Sequence, residues 1–192
     1  MTERRHAKMA DVLRRRQPDL TLVVEDVHDP HNVSAILRSA DATGILNVHL
    51  LYTKEQFPKL GRKSSASASK WVGREFHRSV DKCYADLRKK GFIICATHLG
   101  AKSKSLYELD LTKKVALVFG NEHRGVSDEA ARLADENFQI PMMGMIESLN
   151  VSVACAVSLY EALRQRSKAG KYEKPALNAR QLKVLLENWA AK

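Results

Sequence analysis

Apolar residues along this chain fall into short β-branched runs, separated by stretches in which they recur every three or four positions. Leu20–Val24 (LTLVV), Leu46–Tyr52, Phe92–Thr97 (FIICAT) and Lys114–Phe119 (KVALVF) are runs of the first kind, and they predict buried strands. Trp71–His77 and Asn137–Ile140 predict two shorter ones. Between them, Val33, Ile36, Leu37 and Ala40 keep helical spacing, in a helix that begins at Asn32 or Ser34 and stops at Gly44. Asp81–Lys90, ended by Gly91, and Val126–Ala134 are further helices. The N-terminal Thr2–Arg16 carries a thin apolar face (Ala7, Ala10, Val12, Leu13) and is stopped by Gln17-Pro18-Asp19. After Pro175, Asn178–Trp189 closes the chain as an amphipathic helix. Thr53–Lys70 shows no periodicity and is rich in Ser, Lys and Gly, which predicts an exposed, mobile connection with a single helical turn.

Strands alternating with helices predict an α/β fold, a mostly parallel sheet with helices on both faces. Ligands of such folds sit beyond the C-terminal ends of the strands. Three polar loops follow predicted strands at that end: HDPHN, GNEHRG and MGMIESLN. The last leads into Leu149–Leu163, which is apolar or small all round the helix and so predicts burial on all sides, against the sheet and against a second copy of the chain. Ser148 and Asn150 are cap-type residues at its start, and Arg164, Arg166 and Lys168 close its end.

Charge narrows the partners. The 192 residues carry 32 Lys plus Arg against 22 Asp plus Glu, a net +10, which points to a polyanion. The cations are clustered at Arg4–Lys8, Arg14–Arg16, Arg62–Lys63, Arg88–Lys90 and Arg164–Lys168, as phosphate contacts from several elements require. The three cysteines match no metal spacing and lie mostly in apolar runs, the pattern of reduced thiols in a cytoplasmic protein. No apolar stretch approaches the roughly 20 residues of a membrane span, and no signal peptide is evident. His28 and His31 lack the companions of a metal set, so no metal is expected. The loop Gly120–Gly125 is neither a P-loop nor a dinucleotide fingerprint, and no Gly-x-Ser-x-Gly elbow accompanies Ser148. What remains is a constellation of Asn32, Arg38, Glu122, Ser148 and Asn150 on strand-end loops or first helical turns. Each also has an ordinary reading as a cap, a turn residue or a surface cation.

Three ordered segments carry a resemblance: HNVSAILRSADATGI, VFGNEHRGVS and IPMMGMIESLNVSVACAVSLYEALRQR. They resemble the three motifs of the SpoU methyltransferases of the SPOUT superfamily, and most of all the TrmH type. With the RRRQPDL entry and the RQRSKAG exit, the resemblance spans residues 3 to 175. It implies a C-terminal trefoil knot, a homodimer, S-adenosylmethionine as cofactor, and methylation of the ribose 2′-oxygen of a tRNA D-loop guanosine (position 18). Methylation of ribosomal RNA or of another tRNA position stays open, as does a non-catalytic RNA-binding protein on the same fold. The resemblance divides the chain into a basic RNA-binding helix (1–19), the knotted domain (20–170) and a helical tail (171–192). Carried over by position, it assigns Asn32, Arg38, Glu122, Ser148 and Asn150 to catalysis, and Thr97, Gly120, Ile140 and Leu149 to the cofactor. Either Arg38 becomes the base for the ribose hydroxyl or it clamps an RNA phosphate. The basic clusters add Arg5, Lys8, Arg14, Arg16, Arg164 and Arg166 as RNA contacts, the last two beside the site. The chain departs from the family pattern in its short tail after Tyr172 and its serine-rich Ser64–Ser69 segment.

Overall fold

A computed structural model describes residues 2–58 and 68–192. Seven strands form one sheet: β1 (Leu20–Glu25), β2 (Asn47–Leu51), β3 (Gly73–His77), β4 (Ile93–Thr97), β5 (Lys104–Ser105), β6 (Val115–Phe119) and β7 (Glu136–Gln139). Their order is β3-β2-β1-β6-β4-β7-β5, and every pairing is parallel. From β4 the chain runs out to the edge strand β5, returns to the centre for β6, and then places β7 between β4 and β5.

Burial on both faces explains the apolar runs. In β1, Leu20, Leu22 and Val24 enter one core while Val23 enters the other, and β6 alternates likewise between Leu117 and Val118. The first core lies under helices α2 (Pro30–Ala42) and α6 (Val151–Lys168), the second under α4 (Val80–Lys89) and α5 (Asp128–Leu133). A third, smaller cluster joins the chain ends. There α1 (Glu3–Arg14) packs Met9 and Leu13 against Trp189 of α7 (Ala179–Ala190).

Several boundaries move for local reasons. Helix α2 starts at Pro30, not at Asn32 or Ser34, because the Asp29 carboxylate caps the His31 amide at 2.8 Å and Pro30 suits a first turn. Trp71 belongs to the short helix α3 (Ala68–Trp71), so β3 begins only at Gly73. Strand β5 and the 3-10 turn Leu106–Glu108 have no counterpart among the expected elements, since two paired residues leave no periodic trace. Of the expected Thr53–Lys70 connection, residues 59–67 lie outside the described residues, as does most of the Ser64–Ser69 segment.

Two of the expected RNA contacts are core residues. The Arg16 side chain is fully buried against the carbonyl of Ile45 (2.7 Å) and the Asp41 carboxylate, with its guanidinium over the Trp189 ring. Arg166 is equally buried and donates to Asp19 (2.5 Å), Gln17 (3.0 Å) and the carbonyls of Leu111 (2.8 Å) and Lys113 (2.6 Å). These partners precede the central strands β1 and β6, so α6 carries its C-terminal end to the N-terminal ends of the strands, opposite the strand-end loops. Neither arginine is free to meet RNA, and Arg164 and Arg166 do not stand beside this chain's strand-end loops. Arg5, Lys8 and Arg14 are exposed on α1, and exposed Arg164 forks onto Glu161 at 2.8 Å.

Candidate active site

The loops at the C-terminal ends of β4, β6 and β7 enclose a cavity of about 420 Å³, a size ordinary for a small-ligand site. Thr97, Gly120, Ile140 and Leu149 all line it, together with Glu122 and Ser148. Its apolar part includes Phe119 and Phe138, whose rings meet edge to face at 6.1 Å. Thr97 donates its hydroxyl to the Val118 carbonyl (3.1 Å), which ties the end of β4 to β6.

Gly120 makes the β6 loop possible. A Cβ there would lie 2.0 Å from the Gly125 carbonyl carbon, closer than any side chain tolerates. Asn121 and Gly125 exchange both backbone hydrogen bonds at 2.9 Å, closing the loop, and Gly125 takes the positive φ of 69° that this requires.

The closed loop aims Glu122 at the start of α2. Its carboxylate accepts from the His28 amide (3.1 Å), the Asp29 amide (3.2 Å) and the Asn32 side-chain amide (2.9 Å). Partial burial opposes ionisation of Glu122, but the bonds from Asn32 and the backbone amides outweigh it, and its pKa lies below the ordinary carboxylate value. Asn32 in turn accepts from Asn150 at 3.1 Å, and the Asn150 carboxamide oxygen caps α6 through the Ser152 amide (2.8 Å) and hydroxyl (2.6 Å). One chain of bonds, Glu122–Asn32–Asn150–Ser152, therefore fixes three loops against one another. As an already committed anion, Glu122 orients the amides and is not a free base. Ser148 is exposed at the rim. Arg38 lies two turns into α2, exposed, with no hydrogen bond or ion pair to any described residue.

A second tie was missing from the sequence reading. Asp26 ends β1 with φ of 49°, a conformation that L residues rarely adopt. Its fully buried carboxylate accepts from the amides of Thr53 (2.8 Å), Lys54 (3.2 Å) and Glu55 (3.2 Å), the Thr53 hydroxyl (2.9 Å) and Arg124 (2.6 Å). Its carbonyl receives the Asn121 side chain at 2.8 Å. Burial would raise the Asp26 pKa, yet those donors hold it below its ordinary value. Next to it, Glu25 receives the Ser127 hydroxyl (2.6 Å) and amide (2.9 Å). Two acids ending a buried strand were the available signal, but their partners lie 27–29 residues on in the loop after β2, and 98 and 102 residues on at Arg124 and Ser127.

Residues 19–160 match the SpoU rRNA Methylase family. The chain is 46% identical over 191 residues to the tRNA (guanosine(18)-2'-O)-methyltransferase of Thermus thermophilus, covering all of this chain and 98% of that protein. Its structure superposes on that of the A. aeolicus TrmH/SpoU tRNA modifying enzyme with a TM-score of 0.93 at 38% identity, covering 98% of this chain and 96% of that one. It also resembles the SpoU methyltransferase AviRb from Streptomyces viridochromogenes, solved with the cofactor AdoMet, at a TM-score of 0.69 and 26% identity over 79% of this chain and 59% of that one. The family match covers most of the sheet and all three site loops, and the chain belongs to the SpoU rRNA Methylase family.

Proposed function

We propose that this chain transfers the methyl group of S-adenosylmethionine to the ribose 2′-oxygen of guanosine 18 in tRNA. The observation that carries the reading is the strand-end cavity, closed at its rim by the Glu122–Asn32–Asn150 bonds. The near full-length likeness to the Thermus enzyme supports tRNA as substrate.

Thr97, Gly120, Ile140 and Leu149 would hold the cofactor, with apolar side chains for a flat base and backbone groups for polar edges. The bound cofactor supplies an activated methyl. The protein's task is to remove the hydroxyl proton and align the oxygen in line. Asn32, Glu122 and Asn150 set the rim, Ser148 offers an unpaired hydroxyl there, and Arg38 is the one charged catalytic candidate left without a partner among the described residues. A free guanidinium stays protonated at neutral pH, so Arg38 either clamps an RNA phosphate or is made basic by RNA contacts.

The exposed cations Arg5, Lys8 and Arg14 of α1, and Arg164, supply phosphate contacts to tRNA. Met143, Met145 and Ile146 of the rim loop, then Val153 and Tyr160 on one face of α6, are all exposed. A second copy covering them gives a homodimer, and it completes the burial that the all-round apolar helix calls for. The displaced strand order and the return of α6 across the sheet suit the family's trefoil knot. No described helix is long and apolar enough to cross a membrane, in keeping with work on tRNA in the cytoplasm.

The test is methyl transfer from labelled S-adenosylmethionine to unmodified tRNA transcripts and ribosomal RNA fragments, with the modified nucleotide mapped. Label on the ribose of guanosine 18 supports the reading. Label confined to ribosomal RNA overturns the substrate, and no label on any RNA overturns the enzyme.

A further inference from the structure

The second sheet face holds a polar cluster that methyl transfer does not use. His49 of β2 lies opposite Glu75 of β3 in register, and His77 is two residues further along β3. Diagonal and facing positions of adjacent strands project on one side of a sheet. All three side chains thus share the face covered by α4, whose first turn brings down Cys83. The Nδ1 of His49 lies 2.9 Å from Nε2 of His77 and 3.7 Å from the Glu75 carboxylate. One donor atom each from His49, His77 and Cys83 falls within 4.8 Å of the other two.

The surroundings set the cluster apart from an ordinary buried histidine. Strand β3 is an edge of the sheet and contributes no fully buried side chain. Apolar burial therefore does little to hold it. Pro18, Glu75, Lys90 and Lys114 help line a cavity of about 220 Å³ that reaches His49 and offers an entry path. Cys83 is wholly buried and uninvolved in any disulfide.

We propose that His49, His77 and Cys83 bind one divalent ion of the zinc class, with the Glu75 carboxylate, 3.7 Å from His49, turning in from its Lys90 ion pair as fourth donor. Two imidazoles and a thiolate suit that borderline-soft class, and neither magnesium nor calcium. Zinc–nitrogen bonds of about 2.0–2.1 Å and a zinc–sulfur bond of about 2.3 Å put tetrahedral donor atoms roughly 3.3–3.6 Å apart. The two nitrogens must open slightly, and the sulfur must close by at most about 1.3 Å. Binding releases the Cys83 thiol proton to solvent, and the proton between the imidazoles moves to the other ring nitrogen of the histidine that carries it, so that both rings ligate neutral. Lys90, 3.0 Å from Glu75, turns outward to solvent, where half of its side chain already lies. The thiolate and carboxylate then balance the ion's charge. Its role is to fasten the edge strand to β2 and α4.

The full chain without an affinity tag, stripped with a chelator, is titrated with Co²⁺ and separately with Zn²⁺. One equivalent of Co²⁺ should bring visible d–d bands and a near-ultraviolet sulfur-to-cobalt band, and Cys83→Ser should abolish the latter. Zinc at a hundred-fold excess over its dissociation constant should raise Tm by roughly 5–10 °C. Neither Cys83→Ser nor His77→Asn should show that rise, and both should keep wild-type methyl transfer. Absence of saturable binding at one equivalent overturns the site. So does a sulfur band that survives Cys83→Ser and disappears only when Cys95 or Cys155 is replaced.

Discussion

At the N-terminal ends of the strands, Arg16 and Arg166 are wholly buried among carboxylates and carbonyls. At the opposite ends, Glu122, Asn32, Asn150, Asp26 and Arg124 are bonded into a similar web, but Glu122 and Arg124 of it face an open cavity of about 420 Å³. Both regions are polar webs joining segments remote in sequence. At the base both guanidinium groups are spent on carboxylates and carbonyls, with the Arg16 Nε left over, and the web only holds the chain in place. At the rim the web saturates itself while Ser148, Glu147 and the outward Arg38 stay exposed. The rim loops are therefore fixed before any ligand arrives, and the groups left over are those able to act on one. Buried bonding marks the scaffold, and the proposed chemistry falls to groups that are exposed without a partner among the described residues.

Replacements at the two kinds of arginine should separate most sharply. Arg166→Met leaves Asp19 with Lys171 alone and strands the carbonyls of Leu111 and Lys113, and should cost about 3–5 kcal/mol in urea unfolding. Arg38→Ala should instead lower methyl transfer by at least about 10²-fold while stability moves by less than about 0.5 kcal/mol. Comparable unfolding costs for both would erase the distinction.

Asp26→Asn lies between these extremes. It removes the partner of Arg124 and weakens the anchor of the loop after β2, so it should cost roughly 1–3 kcal/mol. Methyl transfer should fall with it, because Asn121 and Glu122 share the loop after β6 with Arg124. Its pH dependence sharpens the point. The folded pKa of Asp26 is depressed, so its contribution is fully present above the unfolded value of about 3.9 and is lost as pH falls through the folded one. The stability gap between wild type and Asp26→Asn, read by thermal melts, should be constant near neutrality and close in acid below about pH 4. A gap that widened in acid would contradict the assigned protonation.

The smallest effect belongs to the surface. Lys8→Gln should leave Tm unchanged, weaken tRNA binding modestly and reduce the salt slope by about one. The same change in slope is not expected of Arg16, whose loss should register in folding.

Much of this architecture is legible in local pattern. Alternate residues of Leu20–Glu25 serve two cores, so β1 reads as an uninterrupted apolar run. Asn150 reads as a cap, and it is one. Gly120 and Gly125 stand where a tight loop needs them. The motif residues also converge as their order suggests: Thr97, Gly120, Ile140 and Leu149 line one cavity, and Asn32, Glu122 and Asn150 are bonded to each other. What was illegible depends on distant partners. Arg16 and Arg166 sit in basic clusters that look solvated, and only Asp41 and Asp19, 25 and 147 residues away, reveal them as buried. Asp26 and Arg124 are 98 residues apart. The His49–His77–Cys83 cluster follows no motif spacing, because strand register and a helix overhead create it.

The most direct test is single-turnover methyl transfer to unmodified tRNA by wild type and Arg38→Ala, with cofactor binding and Tm measured on the same preparations. Unchanged cofactor affinity and Tm, with transfer to guanosine 18 reduced at least about 10²-fold, is the predicted result. Undiminished transfer by Arg38→Ala would remove the exposed arginine from the chemistry and contradict the account.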